Sequence, residues 1–213
     1  ADNAAVLTGD NVTTTVGPDR IILTGSAAPL SGVCTAYTVT TQDAATNATN
    51  VLTNTQINLT DGTATGDFYG VGDNTCAGAT INNFTITAGN NNAVIYWKDS
   101  VAEAVTLTAA DNAAVLTQGT VNVTTGPDHL ELAGPTSVKA TACSTAYTVT
   151  TKDNANNTAN ATGNLTINLT DGSATGTFHT LNDCSDGAIT SVGITSGNSS
   201  ATFYFKDTTG GAK

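Results

Sequence analysis

The sequence predicts an all-β protein in which one domain is written twice. Three observations lead there. The first is composition. Among 213 residues there is no Met and Glu occurs only at Glu103 and Glu131, while Thr, Val, Ala, Asn and Gly crowd the chain. β-Branched side chains fit a pleated surface, and the strong helix formers are scarce. The second is repetition: "ADNAAVLT" opens the chain at Ala1 and restarts at Ala110. The third is rhythm, with short alternating runs separated by Gly, Asn and Asp about every ten residues.

Sliding the chain on itself by about 109 residues aligns roughly half the positions as identities. "GPD" at Gly17 meets Gly126, "TAYTVTT" at Thr35 meets Thr145, and "INLTDG" at Ile57 meets Ile167. "IYWKD" at Ile95 meets "FYFKD" at Phe203. Such a period is too long for a solenoid turn and suits an independently folding domain. The expected units are 1–109 and 110–213.

Within each unit the strands follow from parity. Tyr37 and Val39 alternate with Thr38 and Thr40, as Tyr147 and Val149 do in the copy. Ile57 and Leu59 share a face ahead of Asp61-Gly62, a dipeptide that predicts a hairpin turn. Phe84 and Ile86 share another. In "AVIYWKD" the Ile95 and Trp97 face is the core side. Across the copy Ile95 becomes Phe203 and Trp97 becomes Phe205, whereas Val94 becomes Thr202. Tyr96 and Tyr204 then point the other way. About seven short strands per hundred residues predict an immunoglobulin-like β-sandwich in each unit.

The four cysteines fall two per unit, at Cys34 and Cys76 and at Cys143 and Cys184. Four cysteines admit three pairings, and only Cys34–Cys76 with Cys143–Cys184 closes each repeat on itself. Structural zinc expects C-x₂-C pairs or histidine ligands, and neither spacing occurs. Disulfides imply an oxidising compartment, so the expected location is extracellular or cell-surface. Export expects a leader removed from these residues or encoded outside them.

The repeated core "C-x-A-Y-T-V-T-T-x-D … G-x-F … C … I-T-x-G-x-x-x-A-x-x-Y-x-K-D" resembles the bacterial Ig-like repeats of long surface proteins and adhesins. It is similar in layout to the stalk domains of intimin- and invasin-like proteins. The resemblance implies β-sandwich modules that project a binding tip from a cell. Their partners would be neighbouring repeats of a longer chain or fibre, and at the tip a host-surface glycan or protein. A disulfide in each unit is not general in that group.

Charge excludes some functions. A net charge of −11 with six scattered basic residues argues against nucleic acid and against anionic membrane surfaces. No stretch approaches the ~20 apolar residues of a membrane span. Catalysis finds no repeated machinery. His129 aligns with Arg20 and His179 with Tyr69, so the histidines belong to the second unit alone and are expected at the surface. A site private to that unit would use one of them with Asp183 and Asp186. Most aspartates sit beside Gly or Asn, where Asp serves turns. Trp97, the sole tryptophan, is expected in the core because its counterpart is Phe205. The sequons at Asn11, Asn58, Asn122, Asn168 and Asn198 follow from an Asn- and Thr-rich composition.

The expected function is a non-catalytic spacer or stalk, with a glycan- or protein-recognising module as the alternative. No cofactor is expected beyond Ca²⁺, for which Asp99, Glu103, Asp111 and Asn112 supply hard oxygens near the joint. The resemblance to surface fibre proteins implies an isopeptide bond from Lys98 or Lys206, with Asp43 or Asp153 as the carboxylate; an ordinary strand-end ion pair is the simpler expectation. Finally, unit one ends in "VAEAVTLTAAD", whose alternation makes a last strand, while unit two reaches the same place with "TTGGAK". Its last strand is expected to be missing, supplied either by a continuing array or by a neighbouring molecule.

Overall fold

The computed structural model describes residues 13–212. Its strands, in chain order, are β1 (Arg20–Gly25), β2 (Thr35–Gln42), β3 (Thr55–Thr60), β4 (Gly66–Tyr69), β5 (Thr80–Ile81), β6 (Asn83–Ile86), β7 (Asn92–Asp99) and β8 (Ala104–Asp111). There follow β9 (Gly119–Thr124), β10 (His129–Ala133), β11 (Tyr147–Lys152), β12 (Leu165–Asn168), β13 (Gly176–His179), β14 (Ser191–Ile194) and β15 (Ser200–Asp207). No helix among the described residues is long and apolar enough to cross a membrane.

The chain forms two Ig-like sandwiches. In the first, a sheet ordered β1-β2-β7-β4-β5 faces a sheet ordered β6-β3-β8-β9. Parity fixes which side is inward. Tyr37 and Val39 of β2 and Ile95 and Trp97 of β7 are all at most 1% exposed. They meet Ile57 and Leu59 of β3 and Leu107 of β8 from the opposite sheet. Each such side chain, fully buried, contributes about 1.5–3 kcal/mol. Tyr96 and Tyr204 lie on the outer faces, half-buried.

The sheets and the sequence repeat are out of phase. The boundary expected between 109 and 110 falls within β8. The strand after it, β9, pairs antiparallel with β8 from Ala104↔Thr124 to Ala109↔Gly119. Val123, 1% exposed, completes the first core. β9 also lies beside β1, held by Ile21 N–H donating to Thr117 O (2.8 Å) and Thr124 N–H donating to Ala27 O (2.9 Å). Gly119 permits this approach. A Cβ there would stand 2.8 Å from Ile21 O and 2.9 Å from Leu23 N.

The Asp61-Gly62 turn does not make the expected hairpin. β3 and β4 belong to opposite sheets, so this turn carries the chain across the sandwich. Asp61 is buried beneath it. Its Oδ2 accepts the Trp97 indole N–H at 2.9 Å, and its Oδ1 accepts the Thr63 amide at 3.2 Å.

The second sandwich repeats the plan incompletely. One sheet runs β10-β11-β15-β13, and the facing sheet is only β12-β14. Among the described residues no strand covers the edge of β12 that corresponds to the β8 side of β3. The consequence shows in burial. Ile21 and Leu23 of β1 are 1% and 4% exposed, but their counterparts Leu130 and Leu132 on β10 are 46% and 62% exposed.

Disulfides tie both units internally. Cys34–Cys76 and Cys143–Cys184 span 42 and 41 residues. Closing loops of that size removes unfolded-chain entropy equivalent to about 4 kcal/mol each. Both units also share a latch. The Tyr37 ring lies over Gly25 and its hydroxyl donates to Ser26 O (2.8 Å); Tyr147 covers Gly134 and donates to Pro135 O (2.9 Å). Burial pushes the Tyr37 hydroxyl up to about 12.

Candidate functional site

Two regions carry features that a plain β-sandwich does not require: the joint between the units and the open face of the second. At the joint, the turn after β11 docks onto the end of the first sandwich. Asn154 N–H donates to Ser31 Oγ (3.0 Å), Ala102 N–H to Asp153 Oδ2 (3.2 Å), and Ala155 N–H to Ser100 O (3.1 Å). Ser31 is fully buried and Asp153 is 1% exposed. Burial alone would raise the Asp153 carboxyl, but hydrogen bonds from Asn157, Ala102 and Ala155 outweigh it and hold the group below its ordinary value. Ser31 N–H and Gly126 N–H bond to Gly126 O and Pro29 O, so the strand leaving the first sandwich is stitched down before the second begins.

The docking turn has a twin. Asp43 accepts the Ala45 and Asn47 amides just as Asp153 accepts Asn157, and Thr46 and Asn156 share a positive φ of 68° and 65°. The twin at Asp43 is exposed over residues 44–48. The receiving end recurs only in its backbone, Gly32 N–H donating to Asp99 O and Thr141 N–H to Asp207 O; Ala140 stands where Ser31 accepts, and Thr141 carries a Cβ where Gly32 leaves room for Asn154.

The residues singled out for calcium are not brought together. β8 separates them, with Asp99 and Glu103 before it and Asp111 and Asn112 at its far end, some ~25 Å along an extended strand. Each is otherwise engaged. Asp99 accepts the Val101 amide, Glu103 the Thr65 hydroxyl (2.6 Å), Asp111 the Ala113 and Val115 amides, and Asn112 the Asn58 amide group. Among the described residues no three His, Cys, Asp or Glu side chains are clustered to hold a metal ion. Asp99 is 1% exposed, and burial raises its carboxyl.

The lysines are likewise apart from the proposed carboxylates. β2 and β7 pair antiparallel through Thr35↔Trp97 and Thr40↔Asn92, which puts Asp43 and Lys98 at opposite ends of the sheet. Tyr147↔Phe203 and Thr150↔Ser200 do the same to Asp153 and Lys206. Across the neighbouring strand Lys98 stands opposite Asp67, and Lys206 opposite Thr177.

His129 is exposed and paired with Asp128. His179 differs from the surface position expected of it. It is 6% exposed, with Nδ1 3.0 Å from Asp186 Oδ1 and Nε2 3.0 Å from Thr177 Oγ1. Asp186 also accepts the Thr180 hydroxyl (2.6 Å) and amide (2.8 Å), which with His179 hold its carboxyl down at about 2. The Thr–His–Asp order resembles a nucleophile relay, but the Thr177 hydroxyl is committed to Lys206 O at 3.2 Å and the imidazole is enclosed. The group fastens a loop to β13. Its signal in the sequence was the alignment of His179 with Tyr69, itself a buried position.

The open face is a groove of about 430 Å³. Leu130, Leu132, Ile167 and Leu169 line its sides, and Phe178, Phe203 and Phe205 its floor. Stacking fixes that floor: Phe203 lies 5.5 Å from Tyr147 and 5.6 Å from Phe178 between ring centroids. Parity places these residues inward, and the absence of a second "VTLT" after Asp207 is the sequence signal that part of this core is uncovered.

No protein-family model and no curated protein matches the chain. Solved structures do. The Escherichia coli adhesin FdeC is 16% identical, over 95% of this chain and 63% of that one, with a TM-score of 0.39. The Yersinia pseudotuberculosis adhesin InvE is 14% identical over 89% and 51%, at 0.34, and a marsupial T cell receptor 10% identical over 90% and 63%, at 0.35. The chain thus spans less than two thirds of each of them. At these identities and scores the likenesses carry no argument about what the chain does.

Proposed function

We propose that the two sandwiches are non-catalytic spacer modules of a bacterial surface adhesin or fibre, in an exported, oxidising setting. The observation that carries the reading is the joint. A linkerless junction with buried Ser31 and Asp153 and hydrogen bonds in both directions holds successive units in one orientation, as a load-bearing rod requires. The recurrence of the docking turn at Asp43 supports repetition, since a head-to-tail contact that does not close on itself propagates. One disulfide per unit adds resistance to extension. The repeated motif's resemblance to adhesin stalk repeats supplies the biological setting.

The test is immunogold labelling of intact cells with antibody to this chain. A spacer places gold along the shaft, between the cell and the distal tip. A recognition module places it at the tip, and the chain alone then binds saturably on a host glycan or protein array.

A further inference from the structure

We propose that the open face of the second sandwich is a receptor for a two-stranded β-hairpin of the kind that residues 104–124 form on the first. The first sandwich is the template. There β8 lies along β3 through Leu59↔Ala109 and Thr60↔Thr108, and β9 lies along β8. Val105, Leu107, Ala109 and Val123 point inward, none more than 7% exposed. Lifting that hairpin away would uncover Ile21, Leu23, Ile57 and Leu59. Their counterparts in the second sandwich, Leu130, Leu132, Ile167 and Leu169, are the ones that line the groove.

The chemistry selects a polypeptide over a lipid or a small apolar molecule. Among the described residues β12 is hydrogen-bonded to β14 on one side only, so its other edge presents N–H and C=O groups beside an aromatic floor. An occupant must pair that edge and fill the floor together, which a strand with an inward apolar residue at every second position does. One strand is not enough. On the first sandwich β8 pairs β3, but Leu23 is covered from the side where β9 meets β1, through Thr117 and Gly119. The 62% exposure of Leu132 therefore calls for the second strand. The occupant reads V-x-L-x-A in its first strand and carries a glycine where its second strand crosses β10.

The test adds a synthetic peptide of residues 101–125 to the intact chain in a calorimeter, with Leu107→Asp in the peptide and Leu132→Asp in the chain as controls. Leu132 is exposed, so its replacement leaves folding intact. The expected result is 1:1 binding that each control weakens about tenfold or more, since a carboxylate would enter an apolar groove. A second arm appends residues 101–125 after Lys213 and follows amide exchange, which is expected to slow in β10, β12 and β14 and stay unchanged in β1 to β7. Slowed exchange in the extended chain supports the proposal even where the free peptide is too disordered to bind. Binding indifferent to both controls overturns it. So does a groove occupied by a second copy, seen as a concentration-dependent dimer that Leu132→Asp disperses. Unchanged exchange in the extended chain, with a peptide that binds no better than its Leu107→Asp form, overturns it as well.

Discussion

Asp61 and Asp171 occupy the same turn in the two units, yet replacing each by Ala should have very different costs. In the first unit Asp61 Oδ2 accepts the indole N–H of Trp97 at 2.9 Å, with both residues buried. Asp61→Ala strands that donor, which costs about 1–3 kcal/mol, and removes the Thr63 amide bond, worth roughly 0.5–1 kcal/mol at its 3.2 Å length. The expected total is about 1.5–4 kcal/mol. In the second unit Phe205 stands where Trp97 does, and Asp171 Oδ2 is buried with no hydrogen-bond partner among the described residues. The Ser173 amide bond, 3.0 Å to Oδ1, is lost in Asp171→Ala, while an orphaned buried oxygen is relieved. Its expected cost is about 1 kcal/mol or less. Trp97, being the sole tryptophan, reports denaturant unfolding of the first sandwich directly, and exchange mass spectrometry reports the second. Equal costs, or a larger cost at Asp171, would refute the claim that the Trp–Asp bond separates the two turns.

Two further outcomes follow from close contacts and charge. Gly119→Ala drives a Cβ against backbone atoms of β1 and should destabilise the first sandwich by about 1–3 kcal/mol, read by Trp97 emission in urea. The Asp186 carboxyl is held down at about 2 in the folded chain against an ordinary 3.8. A depressed carboxylate stabilises above its unfolded value and loses that contribution as pH falls through the folded one. Acid unfolding of the second sandwich between about pH 4 and 2 should therefore flatten in Asp186→Asn, and an unaltered acid limb would contradict the assignment.

Much of the fold was legible because strand parity and duplication are both local signals. Ile95 and Trp97 could be turned inward from the way their neighbours diverge between copies, and the cysteines paired by requiring each copy to close. Phase was not legible. A repeat fixes a period, but any cut through that period yields an equally good repeat, and only the pairing of β8 with β9 sets where one core ends. The sequence predicts one missing strand at the open groove, because "VTLT" fails to recur. The need for two strands rests on the contact of β9 with β1, which joins residues about a hundred positions apart. Likewise Asp61-Gly62 has the local chemistry of a hairpin, and the crossing between sheets is set by the pairing of β4 with β7, about thirty positions further on, which no local rule connects to the turn.

The claim that the units form one rigid rod is tested most directly by residual dipolar couplings of the backbone amides in both sandwiches. Bonds from Asn154 to Ser31 and from Ala102 to Asp153 predict a single alignment tensor that fits the two sets of couplings together, with the orientation given by the joint. Two tensors of different magnitude, each fitting one sandwich only, would mean that the units reorient independently, and the spacer reading would fail with the joint.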